Sequence, residues 1–101
     1  MKVGFIGLGT MGGGMALNLQ KAGFELVVND IRKASAERHI AKGALWVDTA
    51  RQVGEACEVV FSSLPGPKEM ESVALSADGL LAGMKKGSTW FDLSTDRKSN
   101  V

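Results

Sequence analysis

With 101 residues, 45% hydrophobic and 23% charged, the chain has the size and make-up of one folded domain over residues 1–101. A net charge of +1 leaves no electrostatic footprint for nucleic acid or an acidic membrane surface, so neither is expected as a partner. One cysteine, Cys57, excludes an internal disulfide and fits a reducing, cytoplasmic compartment.

The chain order reads as strands alternating with helices. Residues 2–6 predict a buried strand; the apolar start is broken by Gly4, Gly7 and Gly9 with no cleavage region, so no secretory leader is expected. No run approaches the ~20 apolar residues that span a bilayer. Gly7-Leu8-Gly9-Thr10-Met11-Gly12 spells G-x-G-x-x-G. A helix is predicted over 10–22 on the repeat Met11, Met15, Leu19, Ala22, with Gly23 as its stop. A second strand, 25–29, ends at Asp30.

A polar helix over 33–42 carries the single histidine, His39, which is expected to face solvent. A short third strand over 44–47 and a brief helix over 48–54, with Thr49 as cap, lead to a fourth strand over 58–63. Leu64-Pro65-Gly66-Pro67 breaks regular structure. Beyond it the pattern predicts a short helix over 68–74, a turn or single helical turn over 76–81, a polar loop over 83–87 and a fifth strand over 89–93. Residues 94–100 open another loop or helix. Cys57, Trp46 and Trp90 read as packing residues and Lys85-Lys86 as solvated, and no spacing suggests a metal site.

This alternation implies an α/β, Rossmann-type doubly wound parallel sheet of about five strands, with its ligand crevice above strands one and four. A complete sheet of this kind carries a sixth strand, so the domain is expected to be part of a longer protein. In the glycine turn each residue type has a physical task. Gly7 permits the tight turn, Gly9 lets backbone approach a pyrophosphate, and Gly12 lets the helix pack on the strand. Helix N–H groups without intrahelical partners then face the phosphates. Asp30, eighteen residues after Gly12, is placed to accept hydrogen bonds from ribose hydroxyls. Its charge welcomes a 2′-hydroxyl and repels a 2′-phosphate, which favours NAD over NADP, while Arg32 and Lys33 soften that preference.

Bland readings stand beside these. A glycine turn also occurs without any ligand, and the alternative role for Asp30 is an acid stabilising the start of the following helix. An S-adenosylmethionine site also pairs a glycine loop with an acid, though it more often spaces its glycines G-x-G-x-G. Asp92-Leu93-Ser94-Thr95 closes the fifth strand either toward a ligand or as a helix cap, and Leu64-Pro65 either flanks a cofactor ring or simply turns the chain.

Gly4 to Gly12, followed by Met15-Ala16-Leu17-Asn18-Leu19 and Lys21-Ala22-Gly23, resembles the N-terminal signature of the β-hydroxyacid dehydrogenase family, within the 6-phosphogluconate dehydrogenase superfamily. Val59 to Pro65 is similar to its fourth strand, and Gly79-Leu80-Leu81, Lys86-Gly87-Ser88 and Asp92 to Thr95 to the segment ending in its Asp-x-Ser-Thr motif. The resemblance covers essentially the whole chain. It implies cofactor contacts at Gly7, Leu8, Gly9, Thr10, Met11, Gly12, Asn29, Asp30, Ile31, Arg32, Leu64, Pro65 and Thr95, and substrate contacts at Ser94 and Thr95.

The resemblance also implies a function: hydride transfer between NAD and a small 3-hydroxy acid or its semialdehyde. Asp30 matches NAD-using members, whereas NADP-using relatives often carry Asn-Arg-Thr where this chain has Asp30-Ile31-Arg32. In the family a catalytic Lys, with a nearby Asn, follows a further Gly-rich segment on the helix leading to an all-helical domain. No lysine here matches it, so no catalytic residue is assigned, and the 101 residues are expected to bind NAD without turning over substrate. The rival from another class is a non-catalytic cofactor-binding module whose exposed last strand pairs with another chain, for instance as a homo-oligomer.

Overall fold

The computed structural model describes residues 2–8, 10–63 and 79–93, with backbone alone at 10 and 11. Five parallel strands, β1 (Lys2–Ile6), β2 (Glu25–Asn29), β3 (Leu45–Trp46), β4 (Val59–Ser62) and β5 (Thr89–Asp92), form one sheet in the order β3-β2-β1-β4-β5. The α/β doubly wound expectation therefore holds. The order reverses between β1 and β4, where Val3 pairs with Val59 and Ile6 with Ser62. In such sheets the crevice beyond the strands' carboxyl ends lies at that reversal.

Strand pleating sends alternate residues to opposite faces, and each face has its own core. Val3, Phe5, Leu26 and Val28 join Leu8, Ala16 and Ala36 on the first face, under α1 (Thr10–Lys21). Ile6, Val27 and Val60 join Val53, Cys57 and Leu80 on the second, under α3 (Ala50–Ala56) and α4 (Leu80–Gly83). Being covered on both faces, β1 and β2 are almost continuously buried.

Several elements differ from their predicted form for identifiable reasons. The buried residues of α1 are Gly12, Gly13 and Ala16; of the predicted stripe Leu19 packs against the first core, while Met15 and Ala22 are exposed. Small residues face the sheet because the helix sits close to it, and Met15 is left at the margin. The predicted helix over 33–42 divides into a 3-10 turn, Lys33–Ala36, and α2, Glu37–Ala41. The break at Ala36 lets both Ala36 and His39 point inward.

Strand β3 keeps two residues of the predicted four, and Leu45 is exposed there. Helix α3 starts later than predicted because Thr49 is its cap: Thr49 Oγ1 accepts from Gln52 N–H (3.2 Å), and Gln52 Oε1 accepts from Thr49 N–H (3.1 Å). The single helical turn allowed for in 76–81 is present as α4, which runs on to Gly83, the first residue of the predicted polar loop. Trp46 and Trp90 are half-buried and pack against the first and second cores respectively, while Cys57 is buried and Lys85 and Lys86 are exposed, as expected. No helix among the described residues is long and apolar enough to cross a membrane.

Candidate functional site

The carboxyl ends of β1 and β2 carry the glycine turn and the acid. Gly7 adopts φ 90°, a left-handed conformation that other residues take only at a cost, and its N–H donates to Asn29 O (3.0 Å). A Cβ on Gly12 would collide with Gly7 O and lie 3.2 Å from the Phe5 ring, so α1 approaches β1 as closely as a glycine allows. No acidic side chain occupies the first turn of α1, which leaves its positive end uncompensated by the helix itself.

Asp30 is the hinge of this edge. Its Oδ2 accepts from Leu8 N–H (2.6 Å) and its Oδ1 from Arg32 N–H (2.9 Å). The carboxylate therefore ties the glycine turn to the β2 loop while retaining lone pairs on both oxygens for further donors. Asn29 Nδ2 donates to Val47 O (2.8 Å) and fixes the neighbouring strand end. Ile31 and Arg32 are exposed beside Asp30, and Leu8 is buried in the first core. The structure thus gathers Gly7, Leu8, Gly12, Asn29, Asp30, Ile31 and Arg32 at one sheet edge, with the backbone of Thr10 and Met11 opening α1 beside them. Gly9, Leu64, Pro65, Ser94 and Thr95 lie outside the described residues, as do the predicted helix over 68–74 and the segment 94–100.

Two features were not anticipated. His39 is fully buried rather than solvated, because α2 packs on the first turn of α1, where a Cβ on Gly13 would press on Arg38 Nη2 and Leu8 O. Its Nε2 lies 3.0 Å from Gly13 O. The second is a polar chain where β4 meets β5: the Trp90 indole N–H donates to Ser62 Oγ (2.9 Å), and Ser62 Oγ–H donates to Asp92 Oδ1 (3.2 Å). The signal for it was a serine in an apolar strand, legible only once the register Ser62–Asp92 is known. Cys57 belongs to the second core, on the face away from His39; burial pushes its thiol up to about 11, against the opposing pull of the Lys2 charge.

A parallel sheet in this order, with a glycine turn after β1 and an acid at the end of β2, defines a Rossmann-type dinucleotide-binding domain. Residues 2–100 match the model of the NAD binding domain of 6-phosphogluconate dehydrogenase, and the chain belongs to that family. It is 42% identical over 95 residues to 2-hydroxy-3-oxopropionate reductase of Escherichia coli, a match covering 94% of this chain and 32% of the reductase. It is likewise 42% identical over 93 residues to 3-hydroxyisobutyrate dehydrogenase of Pseudomonas aeruginosa, covering 92% of this chain and 31% of the dehydrogenase. Among solved structures, Psf3 in complex with NADP+ and 2-OPP superposes with a TM-score of 0.86 at 31% identity, covering 92% of this chain and 33% of that one. The chain spans about a third of the length of these relatives.

Proposed function

We propose that this chain is the dinucleotide-binding portion of an oxidoreductase that interconverts a small 3-hydroxy acid and its semialdehyde, with NAD preferred to NADP. The observation that carries the reading is the Asp30 carboxylate, bonded to Leu8 N–H at the edge of the glycine turn. The names of the reductase and dehydrogenase relatives support the reaction class. The cofactor supplies the hydride; the protein binds and orients it. In this reading Gly7 to Gly12 hold the pyrophosphate and Asn29 to Arg32 the adenosine ribose. Leu64, Pro65 and Thr95 border the nicotinamide side, with Ser94 and Thr95 toward substrate.

No residue of this chain is assigned to proton transfer. A cytoplasmic setting accords with a single, buried, unpaired thiol. Self-association through the β5 edge is the second reading, favoured by Phe91, which stands 49% exposed there.

Fluorescence titration tests the proposal. NADH is expected to bind about tenfold or more tightly than NADPH, because a 2′-phosphate would meet the Asp30 charge. Asp30→Ser should narrow that ratio. Equal or tighter binding of NADPH by the unaltered chain overturns the cofactor preference, and heat release with S-adenosylmethionine but not NADH overturns the dinucleotide reading. Steady reduction of NAD with 3-hydroxyisobutyrate by these 101 residues would show that proton transfer does not need residues beyond them.

A further inference from the structure

We propose that His39 is a positioning residue for the dinucleotide, holding the phosphate-facing first turn of α1 through its bond to the Gly13 carbonyl; this rests on the dinucleotide-binding reading above. A carbonyl oxygen only accepts, so Nε2 carries the proton and donates across 3.0 Å between residues 26 positions apart. The ring is 0% exposed. Among the described residues its other nitrogen, Nδ1, is buried without a hydrogen-bond partner, as is Gln20 Oε1 on α1.

A leucine would fill such a position without burying a polar atom that has no partner. What histidine adds over leucine is the N–H directed at Gly13. The backbone of His39 is itself anchored: its carbonyl accepts from Gln20 Nε2 and from Ala44 N–H, both at 3.0 Å. The ring therefore projects from a fixed point rather than from a loose loop.

The contact also lies where it bears on the ligand edge. Gly13 follows Gly12 in the glycine motif, and a Cβ there would meet Arg38 Nη2 at 2.6 Å, Leu8 O at 3.0 Å and His39 Cε1 at 3.6 Å. Leu8 is the residue whose N–H is held by Asp30. Asp30 fixes the glycine turn from the strand side, and His39 fixes the helix start from the α2 side. Together they set the backbone N–H groups that the phosphates would meet.

The test compares His39→Leu, which keeps the volume and loses the donor, with His39→Gln, whose amide N–H reaches a similar position. His39→Asn, too short to reach Gly13 O, supplies a second break should the leucine variant not fold. In the Leu and Asn variants NADH binding is expected to weaken about five- to tenfold, the scale of one hydrogen bond. Backbone amides of residues 10–14 should exchange faster while those of β1 and α3 do not, and Gln should restore both readouts. Unchanged affinity and exchange in the Leu and Asn variants overturns the proposal, as does a loss that Gln fails to restore. Absence of NADH binding by the unaltered chain would instead defeat the dinucleotide reading, and the exchange comparison would still decide whether His39 holds the turn.

Discussion

The two faces of the sheet are built by different means. On the first, α1 and α2 are held by polar ties that run toward the ligand edge: His39 to Gly13, Gln20 to the His39 carbonyl, Asp30 to Leu8. On the second, α3 and α4 meet by close approach of small residues: Gly54 against Leu80 O and Met84 N, Gly83 against Arg51 O. The middle of that face is apolar, with Ile6, Val27, Val53, Val60 and Leu80, and its polar chain through Ser62 sits at the strand ends. Dry packing stabilises but recognises nothing. Directional bonds stabilise less per contact, yet they fix backbone groups where a ligand needs them.

The strongest way to break this division is to add one methyl group on each face. At Gly83 a Cβ would collide with the Arg51 carbonyl, a backbone atom that cannot swing aside. Gly83→Ala should therefore cost about 2–3 kcal/mol, a fall in Tm of roughly 10–20 °C for a domain of this size. Below that Tm its affinity for NADH should be unchanged. Gly12→Ala, whose Cβ meets Gly7 O, should lose NADH binding even at temperatures where it remains folded. Thermal melts and titrations on both variants decide; loss of NADH affinity in folded Gly83→Ala would mean that the second face also shapes the site.

The same contrast governs what could be read from the amino-acid order. The strands, their parallel order and the site edge were legible because they rest on local signals: apolar runs, the glycine spacing, and an acid at the next strand end. Thr49 was legible as a cap for the same reason, its partner Gln52 being three residues away. His39 was not, because its partner, the Gly13 carbonyl, lies 26 positions earlier and meets it only once α2 has packed on α1. On α1 Leu19 was read correctly as core-facing but Met15 was not, because hydrophobicity marks Met15 whereas closeness to the sheet selects Gly12 and Ala16. The Ser62–Asp92 bond needed a register set by the sheet itself.

Cys57 gives a smaller effect that sharpens the picture of a sealed second face. Burial holds its thiol protonated up to about pH 11 against an ordinary value of 9.0. The folded state thus binds the proton more tightly than the unfolded chain does. Below pH 9 the group is protonated in both states and contributes no pH dependence. Between pH 9 and 11 the unfolded chain ionises first, and stability falls by up to about 1.4 kcal/mol per pH unit. Denaturant melts across that window should show a steeper decline for the unaltered protein than for Cys57→Ala, which is less stable at neutral pH but lacks this slope. Parallel profiles would show that solvent reaches the thiol and that the second face is open.

The smallest expected change runs in the opposite direction and tests the first face. Three consecutive glycines, 12 to 14, lie in α1, where each costs helix stability. Close contacts explain two of them: Gly12 abuts β1 and Gly13 abuts α2. A Cβ on Gly14 would meet nothing within 4 Å. Gly14→Ala should accordingly stabilise the protein by about 0.5–1 kcal/mol, through the lower conformational freedom of alanine in the unfolded chain. A denaturant midpoint that rises with unchanged NADH affinity would show that closeness to the sheet and to α2, rather than flexibility of the whole helix start, is what Gly12 and Gly13 provide. A midpoint that rises while NADH binding weakens would instead mean that the ligand edge depends on a pliant α1, and the fixed turn held by His39 and Asp30 would be the wrong description of it.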